Sequence, residues 1–255
     1  MSGANLAELV ESFASITGVS KAVATALLRK HKLNLEVALN EFYTNPETIL
    51  QPERKRVSSD DIAALFERYA DGDEIDAEGI ENLCNDLKID IMDPVMLMFA
   101  WQLDAKVNCV FSREEWMKGM NVLGVDSIPT LKARLEQLRT STSVNNIAYK
   151  PFYNFCFLYS REPGQKNVQL AMALAVWELI LKPRWPLYPR FAEYLQVQNE
   201  NQKIKVINKD TWHLLYEFTC CCSDNFEAYK EDDAWPIVID DFVAYVKSSS
   251  SEDNL

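Results

Sequence analysis

Glycine is scarce in this chain of 255 residues, with only 7 copies, or about 3% where about 7% is usual. Hairpin-rich folds and phosphate-binding loops need glycine at fixed positions, and the sequence contains no GxSxG, GxGxxG or P-loop motif. Basic residues are also few, since 26 Lys and Arg face 38 Asp and Glu and give a formal charge of -12. This negative field repels phosphate backbones and argues against nucleic acid as a partner.

Histidine and paired cysteines are nearly absent as well. The only histidines are His31 and His213, and the six cysteines form no CxxC pair, so the sequence offers no zinc site and no disulfide framework. Unpaired thiols are typical of the cytoplasm and nucleus, where we expect this protein. Cys220 could serve as a nucleophile, but His213 precedes it by two helical turns, about 10 Å, which is too far for a general base. A cysteine hydrolase is therefore the weaker interpretation.

Long hydrophobic runs are missing too. The densest apolar segment, residues 170–181, is 12 residues long and includes Glu178, whereas a membrane span needs about 20. The opening residues carry Glu8 and Glu11 and do not have the pattern of a secretory signal. We expect no membrane partner.

What the sequence does contain is helical periodicity. Residues 1–48 predict three short helices with apolar stripes, and an aperiodic basic stretch at 49–57 predicts a linker. Beyond it, about eight or nine helices are expected over 58–248, followed by a disordered tail at 249–255. Two starts match a capping box, Ser58 with Asp61 and Ser112 with Glu115. The apolar helix predicted at 168–181 is expected to be the central buried element. The fold class is all-α.

Two acidic loops in the larger part partly resemble calcium loops. The first, from Asp71, has carboxylates at positions 1 and 3 but lacks the oxygen at 5, the glycine at 6 and the glutamate at 12. The second, from Asp104 to Glu115, places Lys106 where the ion would lie. The favoured interpretation is a pair of degenerate EF-hand-like helix-loop-helix units without metal. A calcium-responsive regulator using Asp71, Asp73 and Glu115 is the alternative.

The charge distribution directs attention to the end of the chain. The first 57 residues hold 7 basic and 6 acidic side chains, while the rest holds 19 and 32, a net of -13. The sequence AWPIVIDDFV, residues 234–243, lies in a segment from Ser223 to Leu255 that holds nine acidic residues. This sequence, together with KDTW at 209–212 and PGQK at 163–166, resembles the defective-in-cullin-neddylation family. The resemblance extends into residues 1–48, which are similar to that family's ubiquitin-associated (UBA-like) domain.

The resemblance implies a function and a set of sites. Members of the family are non-catalytic co-ligases whose potentiating-neddylation (PONY) domain binds a cullin's C-terminal winged-helix region. That region is bound through an Asp-Ala-Asp patch, which corresponds here to Asp210, Ala234 and Asp240. From the residues alone, the two aspartates could instead be helix N-caps. The RING subunit of the cullin ligase is a further implied partner, and residues 1–48 are a possible ubiquitin-binding module. No cofactor is implied.

The family's second site is an apolar pocket for the N-acetylated N-terminus of the neddylation conjugating enzyme. Carried over through the motifs, its positions here are Ile80, Phe99, Leu103, Cys109, Phe111, Tyr159 and Leu179. The resemblance is incomplete at this site, because the family often has an aliphatic residue at Phe99, phenylalanine at Tyr159 and glutamine at Asn108. A ubiquitin-binding adaptor acting through residues 1–48 is a second alternative function.

Overall fold

The structure is a computed structural model that describes residues 3–17, 21–44, 57–144, 146–201, 203–223, 225–230 and 232–252. The chain divides into two compact units, Met1–Arg56 and Val57–Leu255. The described residues contain thirteen helices and four strands of two residues each, so the all-α prediction is confirmed. Within the described part, no helix has the length and hydropathy needed to cross a bilayer.

The first unit is a three-helix domain. Its helices are α1 (Gly3–Thr17), α2 (Lys21–Lys30) and α3 (Leu35–Thr44). Asn34 caps α3, because its side-chain oxygen accepts a hydrogen bond from the backbone N–H of Val37 at 3.1 Å. Phe13 and Phe42 meet edge to face, with ring centroids 5.9 Å apart, and form the centre of a small apolar core. Residues 49–56 of the predicted linker lie outside the described residues.

The second unit holds the remaining elements. Its helices are α4 (Ser59–Glu67), α5 (Ala77–Leu87), α6 (Pro94–Leu103), α7 (Arg113–Leu123), α8 (Ile128–Val144), α9 (Asn146–Tyr159), α10 (Leu170–Ile180), α11 (Tyr188–Glu200), α12 (Lys209–Cys221) and α13 (Ile237–Glu252). The strands are β1 (Glu74–Ile75), β2 (Phe111–Ser112), β3 (Val168–Gln169) and β4 (Val206–Ile207).

Several helix starts follow directly from capping chemistry. The capping box of Ser112 and Glu115 is present in both directions, which fixes the start of α7. At the start of α4, Ser58 accepts a hydrogen bond from the backbone N–H of Asp61 at 3.2 Å. Helix α7 is capped at its C-terminal end by Gly124, whose φ of +72° is the left-handed conformation that glycine adopts most easily.

The short strands lie in the loops between helices, and each strand pairs with a strand of another loop. Strand β1 pairs antiparallel with β2, with Ile75 opposite Phe111, and β3 pairs antiparallel with β4. Strands β2 and β3 are followed at once by a helix, while the single residues Asp76 and Asn208 separate β1 from α5 and β4 from α12. Sequence periodicity did not predict these strands, because two residues are too few to show alternation.

The centre of the larger core is built from aromatic side chains on several helices. Trp177 on α10 stacks on Trp212 of α12, with ring centroids 4.8 Å apart. The hydroxyl of Tyr153 on α9 accepts a hydrogen bond from Trp177 Nε1 and donates one to the backbone oxygen of Trp212, each at 3.0 Å. Three buried polar groups are therefore satisfied within the core, as burial requires.

Two expectations about individual elements are corrected. Helix α10 is not buried all round, because Ala171, Met172 and Ala175 face outward while Trp177 packs inward. Alanine and methionine tolerate exposure at little cost, so apolar composition alone overstated the burial of this helix. In addition, α13 runs to Glu252, four residues into the segment expected to be a disordered tail. Val246 of this helix is buried and packs in the core of the unit.

Candidate functional site

Asp210 lies in the first turn of α12 and is not its cap. The cap is Asn208, whose side-chain oxygen accepts a hydrogen bond from the backbone N–H of Thr211 at 2.8 Å. Asp210 is exposed, and a carboxylate in a first turn is favoured by the helix dipole. Its neighbour His213 brings little positive charge at pH 7, because burial, and to a lesser extent Lys209, lower the pKa of the imidazole. The capping interpretation of Asp210 is wrong, since Asn208 already satisfies the free amide.

Asp240 is likewise inside a helix and not at its cap. Helix α13 begins at Ile237, so Asp240 occupies the first turn and is half-buried. Its Oδ1 atom accepts a hydrogen bond from the Tyr229 hydroxyl at 2.7 Å. Ala234 is exposed, three residues before the helix starts. Ile237 is 77% exposed, which is high for such a large apolar side chain.

The loop that leads to Ala234 is anchored to the core by aromatic contacts. Phe218 of α12 packs edge to face against Trp235 at 5.5 Å and against Tyr229 at 6.4 Å, measured between ring centroids. At the start of the loop, Trp185 Nε1 donates a hydrogen bond to the backbone oxygen of Cys222 at 3.0 Å. Ala234 and Asp240 are therefore presented on an ordered frame.

The structure associates Ala234 and Asp240 with one end of α12 and Asp210 with the other. Phe218, which packs against the loop, follows Asp210 by eight residues, or about 12 Å along the helix axis. The three predicted residues are therefore spread along α12 and are not a single cluster of atoms. Two carboxylates spaced in this way suit a partner with more than one basic side chain.

The seven residues of the predicted apolar pocket come from five different elements and one loop. Ile80 is on α5, Phe99 and Leu103 are on α6, Cys109 precedes β2, Phe111 is in β2, Tyr159 ends α9 and Leu179 is on α10. Phe99 and Phe111 meet edge to face at 5.6 Å. The backbone N–H of Cys109 donates a hydrogen bond to the Tyr159 hydroxyl at 3.1 Å.

Most of this set is closed in the structure. Phe99, Leu103 and Phe111 are at most 1% exposed, while Cys109 is exposed and Leu179 is half-buried. The bulk of the ring pair fills the interior, so a ligand would enter only if side chains moved. The pocket assignment stays a prediction.

Two open clefts lie beside these residues. One of about 300 Å³ is lined by Asn108, Leu158, Arg161 and Met172 among others. The other, of about 350 Å³, includes Trp101, Phe155, Lys209 and His213. Neither cleft is lined by any of the seven predicted pocket residues.

In both acidic loops that were expected to resemble calcium loops, groups of the protein itself contact the carboxylates. Arg113 at the start of α7 lies across the first loop, with Nη1 2.6 Å from Glu67 Oε1 and Nε 3.0 Å from Asp73 Oδ1. In the second loop, the two carboxylate oxygens of Glu115 accept backbone N–H groups of Lys106 and Ser112, each at 2.9 Å. Among the described residues, no group of three or more potential metal ligands is found.

Sequence reasoning missed three residues of functional interest. Tyr229 lies in a loop eleven positions before its partner Asp240, so no regular secondary structure connects the two residues. Ile237 was not singled out, although an apolar residue three positions before the acidic pair Asp240-Asp241 was a usable signal. The ring contacts of Phe218 could not be found from sequence, because they join segments across a loop.

Comparison with known proteins defines the class. Residues 130–245 match the family model described as Cullin binding, and residues 7–48 match the one described as UBA-like domain. The chain is thus a two-part helical protein with a cullin-binding region and a UBA-like N-terminal region.

Its relatives identify the family. The chain is 35% identical to DCN1-like protein 4 of Danio rerio over 206 residues, covering 80% of this chain and 72% of that protein. It is 33% identical to DCN1-like protein 5 of Homo sapiens, covering 80% and 84%. It is 34% identical to DCN1-like protein 3 of Drosophila melanogaster, covering 77% and 58%. The chain belongs to the DCN1-like family. This membership and the cullin-binding match support a role in cullin neddylation.

Proposed function

We propose that this protein is a scaffold that promotes cullin neddylation by holding a cullin and the charged conjugating enzyme together. The observation that carries the proposal is that Asp210 and Ala234, both exposed, and Asp240, half-buried, lie within the region that matches the cullin-binding family. The cullin's C-terminal winged-helix region would bind there. The N-acetylated N-terminus of the conjugating enzyme would bind at the apolar residues around Phe111, and the ligase's RING subunit would complete the assembly.

The acidic surface suits a basic partner for physical reasons. Each carboxylate can receive Lys or Arg, and a hydrogen bond to a charged group is worth about 1.5–3 kcal/mol when partly desolvated. Ala234 leaves room for a long side chain to reach between the acids. Ile237 adds an exposed apolar contact one helical turn from Asp240, at the spacing that places two side chains on one helix face.

A charge reversal at one position tests this surface. Asp240→Arg should abolish binding of a cullin C-terminal fragment in isothermal titration while the helix content, followed by circular dichroism, stays unchanged. The matched control is Asp241→Arg, because Asp241 is exposed and adjacent in sequence but points about 100° away around the helix. If both variants bind as the wild type does, the surface is misassigned.

The carrier site depends on the chemistry of acetylation. A free N-terminus is a cation, and burying it unpaired costs several kcal/mol, whereas burying a methionine side chain contributes about 1.5–3 kcal/mol. Acetylation removes the charge and so converts an excluded peptide into a ligand. Because Phe99 and Phe111 are closed in the structure, we propose that binding requires the side chains near Cys109 and Tyr159 to move.

Peptide binding tests the carrier site. The acetylated N-terminal peptide of the conjugating enzyme should bind the full chain at least tenfold more tightly than the free peptide, a difference of about 1.4 kcal/mol or more. Leu179→Arg should weaken this binding, whereas Ala175→Arg, one turn earlier and exposed on the same helix, should not. Equal affinity for the two peptides would remove the carrier site from the proposal.

The mechanism is positional. Holding the carrier and the acceptor lysine on one body raises their effective concentration and orients the thioester toward the lysine. No side chain of this protein need touch the reacting atoms, so we propose that it has no catalytic residues of its own. The six cysteines are all unpaired thiols, which supports placing the protein in the reducing cytoplasm and nucleus.

Ubiquitin binding through the first unit is a second candidate function. Its support is the UBA-like match over residues 7–48 and a separate apolar core. Titration of the full chain with ubiquitin, compared with a cullin fragment, tests it, and the absence of measurable ubiquitin binding would remove this candidate.

A further inference from the structure

We propose that Tyr229 is a positioning residue for cullin recognition, because its hydroxyl holds the Asp240 carboxylate in the orientation that faces the partner. The inference rests on the proposed function and names a residue that the Asp-Ala-Asp pattern does not contain. Tyr229 lies in the loop between α12 and α13, and its Oη atom donates a hydrogen bond to Asp240 Oδ1 at 2.7 Å. The second carboxylate oxygen takes no part in this hydrogen bond and can accept one from a binding partner.

The ring of Tyr229 is itself held in place. It packs edge to face on Phe218, with centroids 6.4 Å apart, and the Nζ atom of Lys247 lies 5.3 Å from the ring centroid. Phe218 in turn packs on Trp235, the residue next to Ala234. The position of the hydroxyl is therefore tied to the same aromatic frame that presents Ala234, so Ala234 and Asp240 are ordered together.

The hydrogen-bond donor to Asp240 is a neutral hydroxyl and not a cation. Asp93, elsewhere in the unit, is held by the guanidinium of Arg139 through contacts of 2.7 and 2.8 Å, which offset its charge. A tyrosine hydroxyl is neutral, so it fixes Asp240 without cancelling the negative charge that a basic partner needs. An acceptor already ordered before binding avoids the loss of side-chain freedom that would otherwise weaken association.

Tyr229→Phe separates positioning from packing, because it keeps the ring and removes only the hydroxyl. We expect the Kd for a cullin C-terminal fragment to rise about three- to tenfold. Tyr69→Phe is the matched control, since the Tyr69 hydroxyl donates to Asp86 Oδ2 at 2.5 Å in a different part of the unit. That variant should leave the Kd unchanged.

A double-mutant cycle shows whether Tyr229 acts through Asp240. If it does, Tyr229→Phe should change the Kd less than about twofold once Asp240 is already alanine. A purely structural role would reduce affinity equally in both backgrounds, and that result would overturn the inference.

Two other results separate the inference from the proposed function. If Asp240→Ala weakens binding but Tyr229→Phe does not, the positioning role fails and the cullin surface stands. If Asp240→Ala has no effect, the cullin surface itself fails, and the inference fails with it.

Discussion

Gly119→Ala is expected to destabilise the larger unit, although alanine is ordinarily the better helix residue. Gly119 is buried in α7, where it faces α6. A Cβ atom placed there would lie 2.3 Å from Leu103 Cδ2 and 2.8 Å from Leu103 Cα, whereas ordinary contacts are 3.4–4 Å. The leucine methyl can rotate away, but the backbone Cα cannot, so the two helices must separate by at least about half an ångström.

Two opposing effects of Gly119→Ala on the stability of the larger unit can be compared. Replacing glycine by alanine inside a helix contributes about 0.8–1 kcal/mol of stability. Overpacking of a close-packed core typically costs about 1–3 kcal/mol, and a clash with backbone belongs near the upper end. The net result is a loss of about 1–2 kcal/mol. Since Leu103 is one of the predicted pocket residues, the acetylated peptide should bind more weakly to this variant as well.

Tryptophan fluorescence during urea unfolding measures this loss in the larger unit alone, because all six tryptophans lie beyond residue 57. The matched control is Asn121→Ala on the exposed face of the same helix, which should stabilise slightly through helix propensity. An increase in the stability of Gly119→Ala would refute the close contact between α6 and α7.

Three further predictions concern single contacts. Burial alone would raise the pKa of Asp93, but hydrogen bonds from Arg139 and from the backbone lower it overall. Asp93→Asn should therefore reduce the free energy of unfolding by about 1–3 kcal/mol near pH 7. Urea titrations should show this difference between wild type and variant shrinking below about pH 4. Tyr159→Phe removes the hydrogen bond to the Cys109 backbone and should strengthen binding of the acetylated peptide, because the side chains can then move more easily. Weaker binding in isothermal titration would contradict the idea that this hydrogen bond keeps the pocket closed. Arg113→Gln should lower the urea midpoint without creating calcium affinity tighter than about 1 mM, and calcium titration showing tighter binding would favour the calcium-responsive alternative.

Local chemistry made much of the fold predictable. The bounds of α5 and α7 follow from the sequence, because Asp76 and Ser112 supply side-chain oxygens to the first turns. The capping interpretation of Asp240 would start α13 directly after that residue, whereas the helix begins at Ile237, directly after Pro236. Proline restricts the residue before it and favours a helix start after it, a signal that the acidic pair obscured.

The candidate site was less predictable, because it depends on contacts between segments that are distant in sequence. Asp210 and Asp240 could be located through family resemblance, but the role of Asn208 as the cap came only from the structure. The hydrogen bond between Tyr229 and Asp240 and the closure of Phe99 on Phe111 arise from tertiary packing, which leaves no period in the sequence.

The most direct test of the account is the rate at which the neddylation modifier is transferred to a cullin fragment by the charged conjugating enzyme and RING subunit. Wild-type protein is predicted to accelerate this transfer, while Asp240→Arg and Leu179→Arg, each disabling one of the two sites, are predicted to remove the acceleration. Acceleration that persists in either variant would contradict the claim that both partners must be held on one body.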